Sequence, residues 1–246
     1  MEEAKRFAGQ RVLVTGAAGG LGRALACAFH EAGAALVLAD RDGEALDGFA
    51  RGLGPGVERH RYDQAELGSL ARLAAAVGEV DVLINNAGIL LVKPLLETAP
   101  EEVDQVIRTN LIGPIVLARH IGARMAARGR GVILNISSQL AFCGAESRAA
   151  YAAAKAGLAQ FTRTAAAEWG RHGVRVVAIA PGRLLTPMTE YLTRDPELYK
   201  AGIARVPAGR YGRPEEIAKL ALFLASEDGS YILGETVIAD GGYVVG

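Results

Sequence analysis

The stretch YAAAKAG at residues 151–157 sets a tyrosine and a lysine four residues apart. On a helix that spacing brings Tyr151 and Lys155 out on one face, and the alanines between them are too small to cover either. A phenol has a pKa of about 10, too high for a base at neutral pH. An ammonium about 4 Å away would favour the phenolate by roughly 4 kcal/mol at an effective dielectric of about 20, or about three pKa units. Such a phenol would exchange a proton near neutral pH, where acid–base catalysis is most efficient. An isolated pair of this spacing is more often a half-exposed tyrosine stacked on a lysine stem. The chemistry therefore depends on what else the chain supplies.

A second cluster lies near the start. The run RVLVT leads directly into TGAAGGLG (15–22), and a helical pattern follows. Gly16, Gly20 and Gly22 let the backbone turn tightly and approach a ligand closely. A helix N-terminus beyond such a turn offers free N–H groups and a partial positive charge to a phosphate. The spacing is G-x-x-x-G-x-G, which differs from the G-x-G-x-x-G dinucleotide fingerprint. The next apolar run ends in Asp40. In a dinucleotide fold an acid at that tip accepts hydrogen bonds from the adenosine ribose and repels a 2′-phosphate. Asp40 thus favours NAD and makes NADP the lesser candidate, while Arg41 beside it pulls the other way. Asp42 is better placed than Asp40 to cap the helix that follows.

The elements that must position these residues are legible as alternating patterns. Strand-like runs occupy 11–15, 34–40, 57–62, 80–85, 131–137, 174–180 and 235–240. Several are apolar on both faces, as buried parallel strands are. Helical patterns cover 20–32, 43–52, 64–77, 100–127, 149–171 and 214–226. This alternation predicts an α/β fold of right-handed βαβ units, its parallel sheet covered on both sides. Residues 182–212 are irregular and rich in Pro, Gly, Arg and Tyr, and are expected to form a substrate lid.

The 246 residues, half of them hydrophobic, suit one domain with a full core. Zero formal net charge and scattered Lys and Arg give no footprint for nucleic acid. No apolar run is long enough to span a bilayer, so no membrane partner is expected. Cys27 and Cys143 fit neither a disulfide framework nor a metal spacing, and no metal is expected. With no apolar run at its start, the chain is expected to be cytoplasmic. Its low Asn, Gln, Cys and Met content suits a thermophile or a GC-rich genome equally. None of His30, His60, His120 and His172 falls in a motif.

Four more signals complete a pattern: NNAG (85–88), NL (110–111), NISS (135–138) and PGRLLT (181–186). Together with the glycine turn and Y-x-x-x-K, in this order over the whole chain, they resemble the short-chain dehydrogenase/reductase family. The resemblance implies a Rossmann-type, doubly wound sheet of seven parallel strands in a single domain, and a nicotinamide cofactor. It implies a catalytic tetrad of Asn110, Ser138, Tyr151 and Lys155. Gly16, Gly20, Leu21 and Gly22 would hold the pyrophosphate, and Asp40 and Arg41 would face the adenosine ribose. Asp63 would contact adenine, and Asn86, Ala87 and Gly88 would line the groove. Tyr151, Lys155, Pro181, Gly182, Leu184 and Thr186 would meet the nicotinamide half. In the tetrad, Tyr151 would exchange a proton with the substrate oxygen and Lys155 would tune it. Ser138 would donate a hydrogen bond to the same oxygen, and Asn110 would kink its helix and position a water. Two departures stand out: Val177 occupies a position where the family often has Asn, and Arg183 follows PG where an apolar residue is common.

The reaction so implied is hydride transfer between a secondary alcohol and a ketone. RVPAGRYGRPEEIAKLALFLASE (205–227) resembles sugar-acid and polyol dehydrogenases, and equally 3-oxoacyl-acyl-carrier-protein reductases. A non-catalytic NAD-binding regulator is the alternative of another class, though such proteins commonly lose the tyrosine or lysine kept here. The substrate is expected to be a small molecule. For a substrate bearing a carboxylate, Lys93, Arg148 and Arg183 are the cations nearest the predicted site. The resemblance also implies a homotetramer packed through the helices near 100–127 and 149–171.

Overall fold

The computed structural model describes residues 6–186 and 195–246. Seven parallel strands form one sheet: β1 (Arg11–Thr15), β2 (Ala35–Asp40), β3 (Glu58–Arg61), β4 (Val82–Asn85), β5 (Gly131–Ile136), β6 (Val174–Pro181) and β7 (Thr236–Ala239). Their order across the sheet is β3-β2-β1-β4-β5-β6-β7. Each lies within two residues of the run read from the sequence. The central strands are apolar on both faces and buried throughout, β4 as VLIN for example. The edge strand β3 reads ERHR and is half exposed, which charged residues permit and which blunts edge-to-edge pairing.

Helices cover both faces. On one side α1 (Gly20–Glu31), α2 (Gly43–Leu53) and α8 (Pro214–Ala225) bury Leu25, Phe29, Leu46, Ile217 and Leu224 against Val12, Val14, Leu36 and Leu38 of the sheet. On the other, α3 (Leu67–Val77), α5 (Gly113–Arg128) and α6 (Ala149–Trp169) bury Leu70, Leu117, Ile121 and Ala165 against Leu13, Val37, Leu83 and Ile133. Each such Leu or Ile contributes about 1.5–3 kcal/mol by leaving water. Truncating fully buried Leu38 to Ala would cost about 2–5 kcal/mol. Val177 is fully buried among these apolar residues, so the core absorbs that departure from the family pattern. Asp42 caps α2, its carboxylate accepting from the Ala45 N–H at 3.0 Å, as its position in the sequence suggests.

One predicted element divides. The helix expected over 100–127 is α4 (Pro100–Ile107), a π-turn (Arg108–Ile112) and then α5. The reason lies in Pro114, which has no N–H and so cannot bond the Asn110 carbonyl as an α-helix requires. The Gly113 N–H is diverted to the Arg108 carbonyl, five residues back. The sequence reading took no account of α7 (Pro196–Ile203), which lies inside the expected lid. The lid stretch is tied at its base: Leu184 and Gly212 form a β-bridge, with Gly212 N donating to Arg183 O at 2.9 Å and Leu185 N to Gly212 O at 2.8 Å. Its residues 187–194 lie outside the described part.

Candidate active site

The strand order reverses between β1 and β4, so the loops at their carboxyl ends diverge and leave a crevice there. A groove of about 430 Å³ fills it. Gly16, Gly20, Leu21, Gly22, Asp40, Arg41, Asp63, Asn86, Ala87 and Gly88 all line it, as expected. Gly16 sits at φ +65°, and a Cβ there would fall 2.7 Å from Ala87 Cα. A Cβ on Gly22 would fall 2.0 Å from Gly16 O, so only hydrogen lets α1 start this close to the turn. The first turn of α1 has neither a side-chain cap nor an acid. Its amides are therefore left for an anionic ligand.

Asp40 stands at the tip of β2 with its carboxylate held from two sides. Oδ2 accepts from Ala18 N at 2.9 Å and Oδ1 from Asp42 N at 3.0 Å. Each oxygen keeps a lone pair for a ligand hydroxyl. Asp63 accepts from Ala65 N at 2.8 Å, which fixes the turn after β3. Asn86 donates to Thr15 O at 2.9 Å and to Gly16 O at 3.1 Å, tying β4 to the glycine turn. A preformed turn rich in free amides and a fixed acid at its far end fit a dinucleotide.

The expected tetrad lies beyond the Gly88 end of this groove, none of its four residues being among those that line it. Asn110, inside the π-turn, is fully buried and locked to Ile89: Oδ1 accepts from the Ile89 N–H at 2.9 Å and Nδ2 donates to the Ile89 carbonyl at 2.8 Å. A Cβ on Gly88 would fall 2.8 Å from Asn110 Oδ1 and 3.6 Å from Lys155 Nζ, so all three converge on one point. Ser138 lies two residues beyond the end of β5, its Oγ accepting from Leu140 N at 3.2 Å. Tyr151 and Lys155 share a face of α6, the ammonium 5.8 Å from the ring centroid.

The tuning expected of this pair is not present in the protein by itself. Burial pushes the Tyr151 phenol above its ordinary range, and the Ser138 hydroxyl offsets part of the rise. Burial also lowers Lys155, to about 8. The Lys155 Nζ donates to the Ile136 carbonyl at 2.7 Å and lies 5.8 Å from the centre of the Tyr151 ring. Loss of water is the largest cause of the shift in both groups.

A buried polar network holds the tetrad in place, and sequence reasoning missed it. Asn85 Nδ2 donates to Asn135 Oδ1 at 2.9 Å, and Asn135 Nδ2 to Thr162 Oγ1 at 2.9 Å, joining β4 and β5 to α6. The Ser137 hydroxyl donates to the Lys155 carbonyl at 2.9 Å. Polar residues inside otherwise apolar strand runs were the available signal. Pro181 ends β6 and Gly182 packs on Asp240, where a Cβ would fall 2.6 Å from its Cα. These two, Leu184 and Thr186 stand apart from the groove lining. The three candidate cations are already engaged. Lys93 pairs with Glu102 at 2.8 Å, Arg148 donates to the Glu146 carbonyl at 2.8 Å, and Arg183 donates to Gly202 O at 3.3 Å. Among the described residues, no cluster of His, Cys, Asp and Glu could hold a metal ion, and no helix is long and apolar enough to cross a membrane.

A family model described as Enoyl-(Acyl carrier protein) reductase matches residues 16–244. The chain belongs to the short-chain dehydrogenase/reductase family. This dehydrogenase is 38% identical to L-xylulose reductase of Bos taurus over 240 residues, covering 97% of this chain and 98% of the relative. It is 39% identical to galactitol 2-dehydrogenase (L-tagatose-forming) of Cereibacter sphaeroides, covering 98% and 97%. It is also 36% identical to a 3-oxoacyl-acyl-carrier-protein reductase of Thermotoga maritima, covering 98% and 100%. The solved gluconate 5-dehydrogenase of Burkholderia cenocepacia, in complex with NADP and tartrate, superposes with a TM-score of 0.90 at 34% identity, over 99% of this chain and 98% of that one. The enzyme is thus an NAD(P)-dependent oxidoreductase of the alcohol–ketone type. With NADP bound in that relative, NADP is not the lesser cofactor by kinship, which corrects the ranking drawn from Asp40 alone.

Proposed function

We propose that this enzyme oxidises a secondary alcohol of a polyol or sugar acid, or reduces the matching ketone, with Asn110, Ser138, Tyr151 and Lys155 as its reacting machinery. The observation that carries the reading is the convergence of Asn110 Oδ1 and Lys155 Nζ on Gly88, at the end of a groove built for a dinucleotide. When bound, the nicotinamide supplies or accepts the hydride. Gly16, Gly20, Leu21 and Gly22 would hold its pyrophosphate, and Asp63, Asn86 and Ala87 would line its path.

In the reductive direction the Tyr151 hydroxyl gives its proton to the substrate oxygen, and in the oxidative direction the phenolate takes it. Burial keeps Tyr151 protonated, which favours its role as an acid. Ser138 donates a hydrogen bond to the same oxygen and stabilises the charge that develops there. Lys155, lowered to about 8, can pass a proton on near neutral pH. Asn110 holds Ile89, and with it the backbone of the groove wall, in register with Lys155.

The cofactor is NAD or NADP, unranked: the Asp40 charge favours NAD, while Arg41 and the NADP-bound gluconate 5-dehydrogenase favour NADP. A polyol or sugar-acid substrate is supported by the xylulose, galactitol and gluconate relatives. The 3-oxoacyl thioester reading is supported by the Thermotoga relative. We further propose that 182–212 acts as the lid, and that the enzyme is a cytoplasmic homotetramer. Exposed Ala149, Ala153 and Ala156 give α6 a face flat enough for close packing against a second copy. The deciding experiment follows cofactor absorbance with polyols, sugar acids and acetoacetyl thioesters, for wild type and Tyr151→Phe. We expect turnover with a polyol or sugar acid and a loss of about 10²–10⁴-fold in the variant. Variant activity within tenfold of wild type would remove Tyr151 from the mechanism. Turnover with the thioester alone would replace the substrate reading.

A further inference from the structure

The π-turn that carries Asn110 leaves a backbone group without a helical partner. In an α-helix the Thr109 carbonyl would accept from Gly113 N, but that amide bonds Arg108 O instead. In a continued π-helix it would accept from residue 114, which is proline and has no N–H. The carbonyl is buried, and an unpaired buried carbonyl is costly.

Gln64 supplies the missing donor from outside the helix. Its side chain is buried, and Nε2 donates to Thr109 O at 3.1 Å and to Ala87 O at 3.0 Å. Its Oε1 accepts from the Tyr62 hydroxyl, so every polar atom of the amide is used. The fit is close: a Cβ on Gly113 would fall 2.3 Å from Gln64 O and 2.6 Å from Gln64 Cγ. One amide therefore bridges three segments: the turn after β3, the groove wall that continues into Gly88 and Ile89, and the π-turn. Both of its carbonyl partners immediately precede or lie within two residues of the groups that Asn110 joins.

We propose that Gln64 is a positioning residue for the reaction, holding Asn110 and the Gly88–Ile89 wall in register through the Thr109 and Ala87 carbonyls. Gln64 also lines the cofactor groove, beside Asp63. It thereby connects the adenosine end of the groove to the catalytic end.

The proposal rests on the reading that Asn110 belongs to the reacting machinery, and Asn110→Ala tests that separately. Gln64→Leu removes both donors at similar volume. Gln64→Glu keeps the shape but sets a carboxylate against two carbonyls. We expect each to lower kcat by about 10- to 100-fold with cofactor KM changed less than about threefold, because misplacement of a reacting group costs rate more than ground-state binding. In the Asn110→Ala background, Gln64→Leu should lower kcat no further, since groups acting through one another are not additive. Circular dichroism and thermal melts check that each variant is folded. A Gln64→Leu enzyme that melts lower but keeps its kcat would overturn the proposal. So would an effect confined to cofactor KM, or a full additional loss in the Asn110→Ala background. If Gln64→Leu does not fold, the same criteria apply to Gln64→Glu. An unchanged kcat in Asn110→Ala alone would instead overturn the reading of the tetrad.

Discussion

Removing Asp40 should exchange one cofactor for the other by an amount the structure allows to be worked out. In Asp40→Ala the NAD ribose loses a charged acceptor, worth about 1.5–3 kcal/mol, so NAD should bind roughly 10- to 100-fold more weakly. NADP gains instead. A 2′-phosphate about 5 Å from the carboxylate in a wet groove is repelled by about 1–2 kcal/mol, and relief of that should tighten NADP by roughly 5- to 30-fold. Arg41 stays at the groove in the variant and adds attraction. The NAD-to-NADP preference should thus swing by about two to three orders of magnitude. The variant also strands the Ala18 and Asp42 amides that Asp40 accepts from, so a loss of about 1–3 kcal/mol in stability is expected. Equilibrium binding by quenching of protein fluorescence needs no substrate and measures both cofactors directly. Repeating it at high salt separates the two contributions, since the repulsion is screened and the hydrogen bond is not. The reasoning fails if wild type already prefers NADP, or if both cofactors weaken by the same factor.

Three further outcomes are expected. Gly22→Ala places a methyl 2.0 Å from Gly16 O, so the glycine turn must open. Cofactor binding should be lost and stability should fall by about 1–3 kcal/mol, measured by fluorescence titration and thermal melt. Lys155, held near 8 by burial against an ordinary value of 10.5, opposes folding while it must be charged in the native state. Above about 8 the native lysine is neutral and the unfolded one still binds a proton, so stability should rise with pH up to about 10.5, by at most about 1.4 kcal/mol per pH unit. Melting curves of wild type against Lys155→Met should diverge over that window and run parallel below it. Arg183→Ala frees Gly202 O and loosens the attachment of α7, so KM should rise for neutral and acidic substrates alike, and a rise confined to acidic ones would assign Arg183 to a carboxylate.

What the sequence determined by itself is local or periodic. Runs apolar on both faces read as buried parallel strands, and the central strands lie where those runs do. Asp42 caps α2 because its side chain needs only a neighbour three residues on. The glycine turn after β1 and Asp40 at the tip of β2 were legible in the strand pattern, and Asp63 and Asn86–Gly88 through the family resemblance; the strand order brings these loops together. Tyr151 and Lys155 share a face because helix geometry requires it. Only the tertiary structure decided what surrounds them. The sequence placed an ammonium near a phenol, but β5 captured that ammonium with the Ile136 carbonyl, and burial raised the phenol instead of lowering it. Pro114, which the reading of one helix over 100–127 passed over, breaks that helix, and nothing near it in sequence supplies a donor for the Thr109 carbonyl left unpaired. The donor came from Gln64, forty-five residues away from Thr109. Lys93, Arg148 and Arg183 were named as the cations nearest the predicted site, and the groups they bond are not visible in a pattern. Desolvation and long-range hydrogen bonding depend on which distant groups share a volume, and a periodicity along one chain carries no information about that.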